Sequence, residues 1–126
     1  MEPYNPNPTN LNEISETENR LGITIPKVYK DFLVKSNGAY FNNGVLYDIE
    51  TIEEMYNALE FKEYAPNYLS IGNDNGDYEV VMESNEYAVK IGFLEQGSIG
   101  IIEPENWQDF QEWFDEGCSF NFDDAD

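Results

Sequence analysis

The chain has 126 residues, 40% of them hydrophobic and 15% aromatic, which supplies one core and is too apolar for a disordered polymer. Against 26 acids stand six bases, a formal net charge of −20, with one cysteine and no histidine. This argues against direct binding of nucleic acid or anionic lipid, both of which need clustered Lys and Arg. It also removes histidine-based catalysis and any zinc centre built on Cys and His.

The charge is unevenly placed. Residues 1–63 hold 11 acids and five bases, whereas residues 64–126 hold 15 acids and Lys90 alone. A field of this sign steers a cationic macromolecule inward and speeds its association. Cys118 has no partner for a disulfide, and the N-terminus lacks a basic stretch followed by an apolar run, so a reducing cytoplasm is the expected compartment.

In chain order, Pro3, Pro6 and Pro8 among asparagines make residues 1–10 an extended arm. Leu11, Ile14, Glu18 and Leu21 recur at helical spacing and Gly22 follows, which predicts a short amphipathic helix with a glycine stop. Pro26 suits a helix start, Val28, Tyr29, Phe32 and Leu33 supply that helix's buried face, and Asn37-Gly38 ends it. Gly44 to Ile49 reads as a strand, and Thr51 with Glu54 as a capping box opening a helix to about Leu59. Tyr68–Ile71, Tyr78–Met82, Tyr87–Ile91 and Ile99–Ile102 read as strands of an antiparallel meander, joined by Asn73-Asp74-Asn75-Gly76, Ser84-Asn85 and Gln96-Gly97-Ser98. Pro104 opens a last helix with Trp107, Phe110 and Phe114 on its core face and Trp113 rotated toward solvent. Residues 120–126 form an acidic tail after a domain spanning 11–119.

Candidate chemistry is sparse. Paired carboxylates can hydrolyse glycosides, but 26 acids produce many pairs by chance and a domain this small has little room for the pocket required. A calcium loop with Gly76 at its sixth position would begin at Ile71 and end at Met82, where acidic ligands are needed, so that pattern fails and a polar hairpin turn is the reading. No cofactor, metal or catalytic residue is indicated. Tyr78 and Tyr87, flanked by Asp77, Glu79 and Glu86, suit a polar aromatic contact surface, and Cys118 is expected to be an inert, semi-buried thiol.

Three stretches resemble the SUKH superfamily, which includes the yeast cell-wall-synthesis regulator and many bacterial immunity proteins. They are Leu21-Gly22-Ile23-Thr24-Ile25-Pro26 with Tyr29, Phe32-Leu33 and Asn37-Gly38; Tyr68 to Asp77 with its Ile71-Gly72 step; and Trp107 to Phe114. Ile25 stands where leucine is usual before the proline, and Ala39 where a second glycine often follows Asn37-Gly38. The resemblance implies a single α+β domain, a mainly antiparallel sheet (a mixed one stays open) flanked by about four helices, with no shared catalytic residues.

It also implies a non-enzymatic immunity protein that binds a cognate, basic polymorphic toxin, a nuclease in the leading case. The alternative is an intracellular scaffold of the cell-wall-regulator type. Charge density and expected exposure select the contact residues: Asp74, Asp77, Tyr78, Glu79, Glu83 and Glu86, then Glu112, Asp115, Glu116, Asp123 and Asp124 toward the C-terminus. Oligomeric state is not legible.

Overall fold

Local signals set the first half of the fold. The computed structural model describes residues 2–119. The arm is extended, and it is also docked: Glu2–Pro3 forms a short strand β1, and the Tyr4 and Asn5 amides donate to the Gly38 and Asn37 carbonyls. Helix α1 (Leu11–Leu21) starts where the Asn10 side chain accepts from the Glu13 amide at 2.9 Å, and it stops at Gly22, whose φ of +70° a side chain would strain. Ile14, Thr17 and Leu21 are buried, while Leu11, expected on the same stripe, is exposed. Pro26 precedes α2 (Lys27–Lys35), whose Tyr29 and Leu33 are buried with Val28 and Phe32 packed beside them.

The chain then forms a hairpin, β2 (Ala39–Phe41) and β3 (Gly44–Leu46), of which only the second strand has a clear pattern in the sequence. Ile49 belongs to helix α3 (Ile49–Ala58) and not to a strand. Its cap is Asp48, whose Oδ1 accepts from the Thr51 amide at 2.9 Å, so Thr51 lies inside the first turn. A one-turn helix α4 (Phe61–Tyr64) follows, with Phe61 buried and stacked on Tyr56 at 6.0 Å.

The meander is present with shifted ends. Strands β4 (Tyr68–Asn73), β5 (Tyr78–Glu83), β6 (Lys90–Glu95) and β7 (Glu105–Asp109) complete a sheet that has seven strands among the described residues, each pairing antiparallel with its neighbours in sequence. At Gly72 the chains crowd, since a Cβ there would lie 2.3 Å from the Val45 carbonyl oxygen. Ile99–Ile102 is not a strand of the sheet: a 3₁₀ turn at Gln96–Ser98 and Gly100 at φ +85° reverse the chain, leaving Ile101 and Ile102 exposed.

The last helix starts later than the aromatic spacing predicts. Residues 105–109 are extended as β7, and α5 (Phe110–Asp115) begins only after Asp109, whose Oδ2 accepts from the Glu112 amide at 3.1 Å. The two tryptophans therefore exchange roles: Trp113 is 2% exposed in the core and Trp107 is 38% exposed on the sheet. Phe110 and Trp113 pack edge-on against Tyr29 and Phe93 respectively, which seats α5 against α2 and one face of β6. One continuous core joins helices and sheet, and Cys118 is buried within it.

Candidate partner-binding surface

Among the described residues, the acids selected from the sequence sit on separate elements. Asp74, Asp77 and Tyr78 lie at the β4–β5 hairpin. Asp74 is half-buried and its Oδ1 accepts from the Gly76 amide at 2.8 Å and the Tyr78 amide at 3.1 Å, so its charge holds the turn. Asn75 takes φ +63° there, a conformation asparagine tolerates better than most residues. Asp77 is exposed, and Tyr78 is half-buried against the core. Glu83 stands at the other end of β5, about 17 Å away at strand rise, with Glu86 in the following turn, both exposed. Glu112, Asp115 and Glu116 are exposed on and just after α5. Asp123, Asp124 and the rest of the tail lie outside the described residues.

Glu79, expected at the contact surface from its charge, is 0% exposed. Its carboxylate accepts from the Tyr47 hydroxyl at 2.7 Å, the Ser70 hydroxyl at 2.6 Å and the Gln96 amide group at 2.6 Å. A buried carboxylate persists only where donors replace its water, and three are gathered here from β4, the segment after β3, and the 3₁₀ turn. Burial, followed by the charge of Glu79, holds the Tyr47 phenol well above the usual tyrosine range. This group ties the sheet together and is closed to a partner.

A surface that charge counting missed lies where Trp107 covers β6, on the face of the sheet away from α5. Gly92 and Phe93 are successive strand residues and face opposite sides, so Trp107 over Gly92 and Trp113 beside Phe93 lie on opposite faces of the sheet. A Cβ at Gly92 would come 3.0 Å from the Trp107 ring, so the glycine is what lets the indole lie flat on β6. Tyr68 stands beside it, with ring centroids 6.1 Å apart and planes 33° from parallel. The Tyr68 hydroxyl donates to Glu103 Oε1 at 2.9 Å, and Glu83 is its cross-strand partner. Partial burial, then the Glu103 carboxylate and the charge of Glu83, raise the Tyr68 phenol above its ordinary range. Trp107 forms one wall of a groove of about 430 Å³ that Glu83, Asn85, Tyr87, Val89 and Lys90 also line. Tyr87, at 84%, is among the most exposed large side chains in the described chain. The signal available in the sequence was the capping spacing Asp109–Glu112, which starts the helix late enough to leave Trp107 on a strand.

Among the described residues no group of three or more Cys, Asp and Glu side chains is placed to hold a metal ion, and no helix is long and apolar enough to cross a membrane. Cys118 is buried, and burial pushes its thiol up to about 12.

Comparison with known proteins agrees with this architecture. The family model described as SMI1 / KNR4 family (SUKH-1) matches residues 8–116. The chain is also similar to the Bacillus subtilis (strain 168) protein that bears the name "Uncharacterized protein YnaB", at 32% identity over 117 residues, covering 90% of this chain and 79% of the relative.

Proposed function

This chain belongs to the SMI1 / KNR4 family (SUKH-1), and from that premise we propose that it is a bacterial immunity protein that binds and neutralises a cognate basic toxin in the cytoplasm, working by contact and not by catalysis. The observation that carries the reading is the net charge of −20 on a folded α+β domain whose carboxylates at Asp77, Glu83, Glu86, Glu112, Asp115 and Glu116 are exposed. Self-repulsion of that size costs stability, and a cationic partner offsets it. A nuclease surface that grips phosphate is basic for the same electrostatic reason, which makes a nuclease the natural toxin class.

The test is binding to, and protection against, the product of the neighbouring gene. Co-expression should rescue growth, and association of the purified pair should slow as salt rises, because screening shortens the reach of the field. A neighbouring gene without a toxin domain, together with salt-independent capture of an endogenous cell-wall factor, would favour the scaffold reading instead.

A further inference from the structure

We propose that the Trp107 groove, together with the adjoining depression that Tyr68 and Glu103 line, is an arginine-reading site: a basic segment of the partner lays a guanidinium on the Trp107 and Tyr68 rings while Glu83 and Glu103 take its N–H donors. The inference rests on the basic-partner reading above and specifies where and through which side chain that partner is held.

Three observations converge on it. The indole is presented flat on a glycine and is 38% exposed, so one of its faces is free to receive a planar cation. Its neighbour Tyr68 lies within stacking distance, which extends the aromatic platform. Two carboxylates flank that platform, Glu103 on the Tyr68 hydroxyl and Glu83 across the strand from Tyr68. Arg stacks on aromatic faces and pairs with carboxylates through a rigid fork of donors, whereas Lys offers a compact, strongly hydrated point charge.

The charge around the groove favours a cation over a purely apolar occupant. The ion pairs Arg20–Glu53, Lys27–Asp31 and Lys30–Glu18 lie on α1, α2 and α3, and neither Glu83 nor Glu103 takes part in them. Lys90, the base of the groove, stands cross-strand from Asp109, so a carboxylate-bearing residue is its register neighbour. Exposed Tyr87 and Val89 then give the aliphatic stem of a long side chain something to cover.

The experiment is a titration of the full-length chain at low salt with hexa-arginine, hexalysine and a neutral leucine-rich peptide, following the indole N–H signals by NMR. Hexa-arginine should move the Trp107 signal and leave that of buried Trp113 in place, and should bind several-fold tighter than hexalysine. Trp107→Ala and, separately, the double variant Glu83→Gln/Glu103→Gln should each weaken hexa-arginine by about three- to tenfold. The double variant removes the two charges at nearly constant side-chain size and keeps an oxygen able to accept from the Tyr68 hydroxyl, so it tests the site even if Trp107→Ala unfolds. If hexa-arginine instead moves the Asp77 hairpin or α5 while Trp107 stays, the groove assignment is wrong and the basic-partner reading stands. If no cationic peptide binds at low salt, both fail. Equal binding of the neutral peptide would make the groove a general apolar site, and a Trp107 shift that grows with protein concentration alone would make it a self-association face. Either result overturns the arginine assignment.

Discussion

The Tyr47 hydroxyl donates to Glu79 Oε1 at 2.7 Å inside the sheet, joining the segment after β3 to β5 across 32 residues of chain. Tyr47 itself accepts from the Asn73 amide group at 2.8 Å, so the hairpin that carries Asp74 and Asp77 hangs on the same network. Tyr47→Phe leaves the carboxylate with Ser70 and Gln96 as donors and should cost about 1.5–3 kcal/mol in urea unfolding. Glu79→Ala removes the acceptor from three donors at once and opens a cavity, so it should cost more than Tyr47→Phe. A Glu79→Ala variant as stable as the parent would refute the structural role assigned to this carboxylate.

The two tryptophans should separate cleanly by mutation and by spectroscopy. Trp113 is packed among Phe41, Phe93 and Phe110, and its indole N–H donates to the Ser119 carbonyl at 2.8 Å. Trp113→Ala should cost about 3–5 kcal/mol. Trp107→Ala should cost clearly less, and iodide should quench the fluorescence of a Trp113→Phe chain far more than that of a Trp107→Phe chain.

Alkali should unfold the protein through its phenols. Tyr29 and Tyr47 are both raised well above the free phenol, first by burial and then by the charges of Asp48 and Glu79 respectively. A group whose folded pKa is raised contributes stability that is intact below its unfolded value, about 10 for tyrosine, and is lost as pH climbs beyond it. The thermal midpoint should therefore fall above about pH 10. The stability gap between the parent and Tyr47→Phe should narrow over the same window, since the variant has no phenol there to ionise.

Cys118 should report unfolding. Its thiol is buried and shifted up to about 12 by that burial, so it is neither exposed nor a thiolate at neutral pH. Labelling by a disulfide reagent should be about a thousandfold slower in buffer than in concentrated urea. Rapid labelling of the native protein would mean that the end of α5 opens freely.

What could be read from the sequence was whatever neighbouring residues decide. Asn10 and Gly22 bracket α1, and Asn73 to Gly76 turn β4 into β5, through contacts no more than a few residues apart. The Trp107 spacing misled because positions 107, 110 and 114 suit one helical face, while the Asp109 cap, which starts the helix later, depends on a single side-chain bond. Glu79 misled for a different reason. Its flanking residues look like a surface strand, and the donors that make burial tolerable come from residues 9, 17 and 32 positions away. The acids of the site were visible as charges, but the Tyr68–Trp107 platform exists only through strand register and the bare Gly92 beneath it.

Among the described residues the meander has β1 and β7 as its outer strands, and an open sheet edge is a template on which further copies can polymerise. One edge is a two-residue strand, and the other is interrupted at Asn106, where φ is +60°, and carries Glu105 and Asp109. Short length and a kink limit templating geometrically, and the net charge of −20 adds repulsion between copies. As pH approaches the isoelectric point near 4.1 that repulsion vanishes, so acidification should bring these molecules together edge to edge before it unfolds them.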